Sequence, residues 1–134
     1  TAIVEVIDRV NATGLLASIG LDPEKTHKIM LQALIDAGID EKIIFGVSQG
    51  WRLVGAISIA ERKLASDDLL HGGSPLMAWC VGNARVEPRG NAVSITKQTS
   101  GTGKIDPLMA LFNAVQLMAL NPMPQTVSGD LLVL

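Results

Sequence analysis

A chain of 134 residues with a single cysteine is long enough to bury a core without a disulfide framework or a structural metal. It is 48% hydrophobic, yet every apolar run is cut short of a membrane span, and Glu5, Asp8 and Arg9 interrupt the N-terminus too early for a signal peptide. The net charge of −2 hides an uneven distribution: residues 1–41 hold seven acids against three bases, whereas residues 84–104 hold Arg85, Arg89, Lys97 and Lys104 against Glu87 alone. Two ordinary solvated faces explain that asymmetry as well as a basic region meeting a phosphate backbone does, so charge leaves both open.

In chain order, Ala2, Ile3, Val6, Ile7 and Val10 recur near helical period and predict a helix over residues 1–12, ending by Gly14. Leu15 to Leu21 is a short apolar run between Gly14 and Asp22-Pro23, which favours a buried strand. Asp22-Pro23 then opens a predicted second helix through Ala37, with Ile29, Met30, Ala33, Leu34 and Ala37 inward, His27 on the exposed face and Gly38 just past the end. Ile43 to Val47 is the clearest strand. Strand, helix, strand at this spacing is a βαβ-like unit and implies parallel pairing.

A third helix is predicted from about Trp51 to Leu64, with Leu53, Ile57, Ala60 and Leu64 facing in, and Asp67 to Leu70 reads as a further helical turn. Apolar structure resumes at Leu76 to Cys80, where Cys80 reads as a packing residue. Residues 84–87 and 92–96 alternate around Pro88-Arg89-Gly90-Asn91 and predict a β-hairpin. Then a basic glycine loop, Gly101-Thr102-Gly103-Lys104, runs into Asp106-Pro107 and the longest apolar segment of the chain, through Leu120. Asp106 reads as N-cap and Pro107 as first helical residue. Only Asn113 and Gln116 break that apolar surface, so the helix should be buried on most sides. Residues 122–134 read as a tail whose end, Leu131 to Leu134, is apolar enough to dock on the body or on another chain.

Several motifs invite chemistry. Gly46-Val47-Ser48-Gln49-Gly50 matches the nucleophile elbow G-x-S-x-G between a predicted strand and helix, and Asp67, Asp68 and His71 follow in the right order for a serine esterase. Against that stand too few strands, no upstream oxyanion loop, and a histidine only 23 residues after the serine. Gly101 to Lys104 is no Walker A loop, because Gln98 and Ile105 stand where glycine and Ser/Thr are needed. Asp22 and Asp106 share one context, an apolar residue before and a proline after. Helix caps worth about 1 kcal/mol each are the simpler reading. Metal-ligating carboxylates on rigid elements are the sharper one.

The string His71-Gly72-Gly73-Ser74-Pro75-Leu76-Met77-Ala78-Trp79-Cys80-Val81-Gly82-Asn83-Ala84, a hairpin, Lys97, and then Ile105-Asp106 leading an apolar helix resembles the C-terminal nuclease domain of tailed-phage terminase large subunits. So does the upstream order of a helix, a strand ending in Asp22, a helix, a strand and the Gly46–Gly50 turn; the resemblance covers about residues 1–121. It implies an α/β, RNase H-like fold with mostly parallel central strands, flanking helices and a β-hairpin. It also implies Mg²⁺- or Mn²⁺-dependent cleavage of concatemeric double-stranded DNA during genome packaging in the host cytoplasm, beside a portal and a small terminase subunit. Three acids gather the metals in that family; Asp22 matches the second and Asp106 the third, and both are implied as catalytic and metal-ligating. Lys97, Lys104, Arg85 and Arg89 are the implied DNA contacts. The first strands and the first acid have no counterpart in the chain, so an N-terminally truncated, incomplete fold with little activity is expected, with the sheet edge near Leu15 to Leu21 open to self-association. A non-catalytic α/β assembly module, with both aspartates only as caps, is the competing expectation.

Overall fold

The computed structural model describes residues 1–24, 27–97 and 103–124. The described chain divides into two compact units, residues 1–47 joined by the segment from 120, and residues 48–119. Among the described residues five α-helices and four strands follow in the order α1 (Ala2–Ala12), β1 (Ile19–Leu21), α2 (His27–Asp36), β2 (Ile44–Gly46), α3 (Val54–Ala65), α4 (Pro75–Gly82), β3 (Ala84–Arg89), β4 (Ala92–Lys97) and α5 (Asp106–Met118). The α/β mixture is as the sequence implies. Among the described residues its sheets are two pairs, β1 with β2 in parallel and β3 with β4 antiparallel, rather than a wider parallel sheet.

In the first unit, Ile19, Leu34 and Ile39 form the buried cluster, and Val4, Ile7, Leu16, Leu21, Met30, Ile43 and Ile44 pack around it. The parallel register Ile19↔Ile44, Gly20↔Phe45, Leu21↔Gly46 confirms the βαβ reading, although the strand is three residues and not the whole Leu15 to Leu21 run. α2 is described from His27 onward. Its predicted inner face needs correction, because Ile29 is 83% exposed and Ala37 is exposed, while His27 is half-buried rather than a surface residue. Likewise α1 turns Val4 and Ile7 to the core, leaving Ile3, Val6 and Val10 exposed. An apolar surplus lets periodicity fit more than one face. Gly38, at φ +88°, ends α2 in a Schellman turn: Gly38 N–H donates to Ile35 O (2.9 Å) and Ile39 N–H to Leu34 O (3.0 Å). That turn brings Ile39 onto Leu34, which makes the helix end part of the core.

In the second unit, a short 3-10 turn, Gly50–Leu53, leads into α3. α5 packs on α3, on α4 and on that turn, and β4 packs on α3 and the turn. Leu53, Ala56, Ile57 and Ala60 are buried as the spacing of α3 requires, but Leu64 is 47% exposed. No separate helical turn forms at Asp67 to Leu70. Asp67 takes a left-handed φ of +59°, and Asp68 N–H donates to Lys63 O (2.9 Å), so these residues close α3 instead. Cys80 is free and fully buried. The predicted hairpin is present, joined by Gly90-Asn91 with Gly90 at φ +63°. A positive φ at the first loop residue alone matches the twist of the flanking strands in the II′ manner.

Leu34 has no exposed surface, so Leu34→Ala should lower stability by about 2–5 kcal/mol, whereas exposed Ile29→Ala should stay within about 0.5 kcal/mol. Urea unfolding of the two variants checks this, and equal losses would contradict the observed face of α2.

Candidate metal and DNA site

The two aspartates behave differently from each other. Asp22 follows β1, and its Oδ1 accepts from the Glu24 backbone N–H at 2.9 Å. That is an Asx turn directly after the strand. One carboxylate oxygen is thereby engaged locally. Asp106 is the first residue of α5, with Ile105 in the cap position, so the expected N-cap assignment shifts by one residue. No side-chain bond caps this helix, and the exposed Asp106 carboxylate has no hydrogen-bond or ion-pair partner among the described residues. A negative charge in the first turn is still favoured by the helix dipole, by about 0.3–1 kcal/mol. Each aspartate is thus held by the backbone of its own unit, Asp22 in the first and Asp106 in the second.

α5 itself is fixed by a polar pair. Asn113 is buried, not a solvated break in the apolar surface, and its Oδ1 accepts from Gln49 Nε2 at 3.0 Å. Gln49 belongs to the G-x-S-x-G turn, which therefore anchors the helix that carries Asp106. The same turn does not build an esterase. Ser48 Oγ accepts from an Arg52 guanidinium N–H at 3.2 Å, and His71 Nδ1 accepts from the Gly73 backbone N–H at 3.1 Å inside its own turn. Serine and histidine each serve a local structure and do not form a nucleophile–base pair.

The four basic residues sort by strand alternation. Arg85 and Arg89 share one face of β3 with Glu87 between them, whereas Lys97 occupies the opposite face of the hairpin at the end of β4. Arg89 lies 3.9 Å from the Glu87 carboxylate and donates from Nε to Ser94 Oγ at 3.4 Å. Thr96 Oγ1 donates to the other Glu87 oxygen at 3.3 Å. Glu87 therefore tempers the positive charge of this face. Lys104 is exposed in the segment entering α5; Gly101 and Thr102 of the predicted glycine loop, like residues 125–134 of the tail, lie outside the described residues. Asn83, which sequence reasoning left without a role, reaches from the end of α4 to this segment, its Nδ2 donating to the Lys104 carbonyl at 3.0 Å. An asparagine after a glycine at a helix end signals a C-cap in sequence; nothing in sequence signals its distant partner.

Carboxylate oxygens are the hard donors that Mg²⁺ and Mn²⁺ take, and the unpartnered Asp106 carboxylate on a helix start fits such an ion. Among the described residues, no group of three or more His, Cys, Asp or Glu side chains is assembled to hold one. Residues 2–121 match the family model of the terminase large subunit endonuclease domain, and the chain belongs to that family. Its role accordingly lies in phage DNA packaging and cleavage, by a domain family that is in general metal-dependent. No curated protein and no solved structure gives a significant match. No described helix is long and apolar enough to cross a membrane.

Gln49→Ala would strand a buried amide oxygen on Asn113 and should cost about 1–3 kcal/mol in chemical unfolding. Ser48→Ala should leave hydrolysis of a simple aryl ester at the wild-type background, since no histidine serves that hydroxyl.

Proposed function

We propose that this chain contributes two metal-ligating carboxylates, Asp106 and Asp22, to the endonuclease that cuts concatemeric double-stranded DNA during genome packaging in the host cytoplasm. The family match over residues 2–121 carries this reading. The free carboxylate at the head of α5 supports Asp106, and the position directly after β1 supports Asp22. What Mg²⁺ or Mn²⁺ supplies when bound is activation of water for attack on the phosphodiester and stabilisation of the leaving 3′ oxygen. The chain's own part is to hold the two carboxylates on backbone and to guide the DNA. Asp106 rides on a buried helix, which keeps its position from drifting. Asp22 is held by its Asx turn, and among the described residues its Oδ2 has no partner, which leaves it for a ligand.

DNA contact falls to Arg85, Arg89, Lys97 and Lys104 as phosphate-facing cations that fix the duplex without reading sequence. Their division between two hairpin faces and the α5 entry argues for contacts spread along a backbone rather than one dense patch. The packaging partners are the portal and the small terminase subunit. Among the described residues β1 pairs only with β2, so its other edge offers a second copy of the chain a place to add a strand.

Asp106→Asn should abolish Mn²⁺-induced line broadening of the amides at the start of α5 in NMR spectra, and Asp106→Ala any Mg²⁺-dependent cleavage of duplex DNA; cleavage that survives would falsify the role of Asp106. Replacing Arg85 and Arg89 together by alanine should weaken DNA binding without changing its sequence preference. The slope of log affinity against log salt should shrink by about 1 for each phosphate that the two arginines neutralise, read by fluorescence anisotropy.

A further inference from the structure

Asn83 closes α4 with its backbone and reaches elsewhere with its side chain. Its N–H donates to Trp79 O and Cys80 O, both at 3.1 Å, as a helix-ending residue should. Its half-buried side chain spans 21 positions of sequence to donate from Nδ2 to Lys104 O at 3.0 Å. A second observation involves the residue before that lysine. A Cβ on Gly103 would lie 2.6 Å from both Cγ and Oδ1 of Asn83 and 2.9 Å from Nδ2, closer than real Cβ atoms come. Glycine there lets the backbone approach the amide.

Directly beyond this contact, Ile105 O accepts from Met109 N–H at 3.0 Å as α5 begins, and Asp106 follows. With no side-chain partner of its own among the described residues, the Asp106 carboxylate takes its position from this backbone. We propose that Asn83 is a positioning residue for Asp106, its amide pinning the 103–105 segment so that the carboxylate stands ready for a divalent cation. The inference rests on the reading of Asp106 as a metal ligand. Asparagine suits the task because the amide nitrogen faces a carbonyl, which needs a donor. An aspartate of nearly the same shape would oppose that carbonyl with an acceptor.

The test uses the full chain and Mn²⁺ alone, followed by NMR titration of the amides around residue 106 and by hydrogen exchange over residues 104–110. Asn83→Asp should speed exchange in that segment and weaken the apparent Mn²⁺ affinity about 10-fold, the lower end of what supporting residues contribute to metal sites. Gly103→Ala should act in the same direction. The double variant should be little worse than either single one, since both disturb one contact. Leu53→Ala, which loosens the core of the same unit but leaves the Asn83 contact intact, controls for stability and should weaken Mn²⁺ affinity less than Asn83→Asp does. If Asn83→Asp speeds exchange but keeps wild-type Mn²⁺ affinity while Asp106→Asn loses it, the positioning role is overturned and the ligand role stands. If wild type and Asp106→Asn respond alike to Mn²⁺, the ligand role itself fails and this inference fails with it.

Discussion

The hydrogen bond from Gln49 to Asn113 is the constraint on which the second unit depends. α5 is apolar on almost every side, so hydrophobicity alone leaves its rotation about its own axis poorly determined. A buried asparagine changes that, because an unsatisfied amide in an apolar setting is expensive and only one rotation delivers it to a partner. With Asn113 on Gln49, the side chains of Leu108, Phe112 and Val115 go inward. Asp106, Ala110, Ala114 and Met118, spaced four apart, then form the exposed stripe. The solvent-facing position of the Asp106 carboxylate thus follows from a polar pair two turns away.

Two different amides act on the same helix at different levels. Gln49 sets the rotation of α5 from within, and Asn83 sets where the chain enters it. Both donors come from turns that close or open other helices, one tied to the middle of α5 and one to the segment entering it. Helix ends are used economically elsewhere too: the Schellman turn after α2 places Ile39 on Leu34, and its counterpart after α3 absorbs Asp67 and Asp68, which otherwise suggest catalytic acids. Acidic residues in such turns are explained by backbone satisfaction before chemistry is invoked. The Asp106 carboxylate also enters no hydrogen bond or ion pair among the described residues; what distinguishes it is its place in the first turn of α5, where the helix dipole favours a negative charge.

Much of the candidate site was legible because its carriers are short-range. The hairpin could be read from alternation around Gly90-Asn91, and the start of α5 from Asp106-Pro107, since both signals lie within a few residues of what they control. The faces of α1 and α2 could not be read as well. Ile3, Val6 and Ile29 are as apolar as Val4, Ile7 and Leu34, and only packing selects between them. The same limit applies to the basic residues. Four cations close in sequence look like one patch, yet strand alternation separates Lys97 from Arg85 and Arg89, and Glu87 sits inside the group.

Sequence by itself determined the family, the parallel βαβ pair and the hairpin, because local spacing, turn chemistry and a long specific string encode them. Tertiary structure decided what each polar side chain does. Asp22 accepts from the Glu24 backbone in an Asx turn, Ser48 is a partner of Arg52 instead of a nucleophile, Asn113 a buried anchor, and Asn83 a clamp on the entry to α5. These roles rest on which donor meets which acceptor, and for Gln49–Asn113 and Asn83–Lys104 the partners come from distant parts of the chain. Sequence spacing holds no record of such a meeting; folding alone creates it.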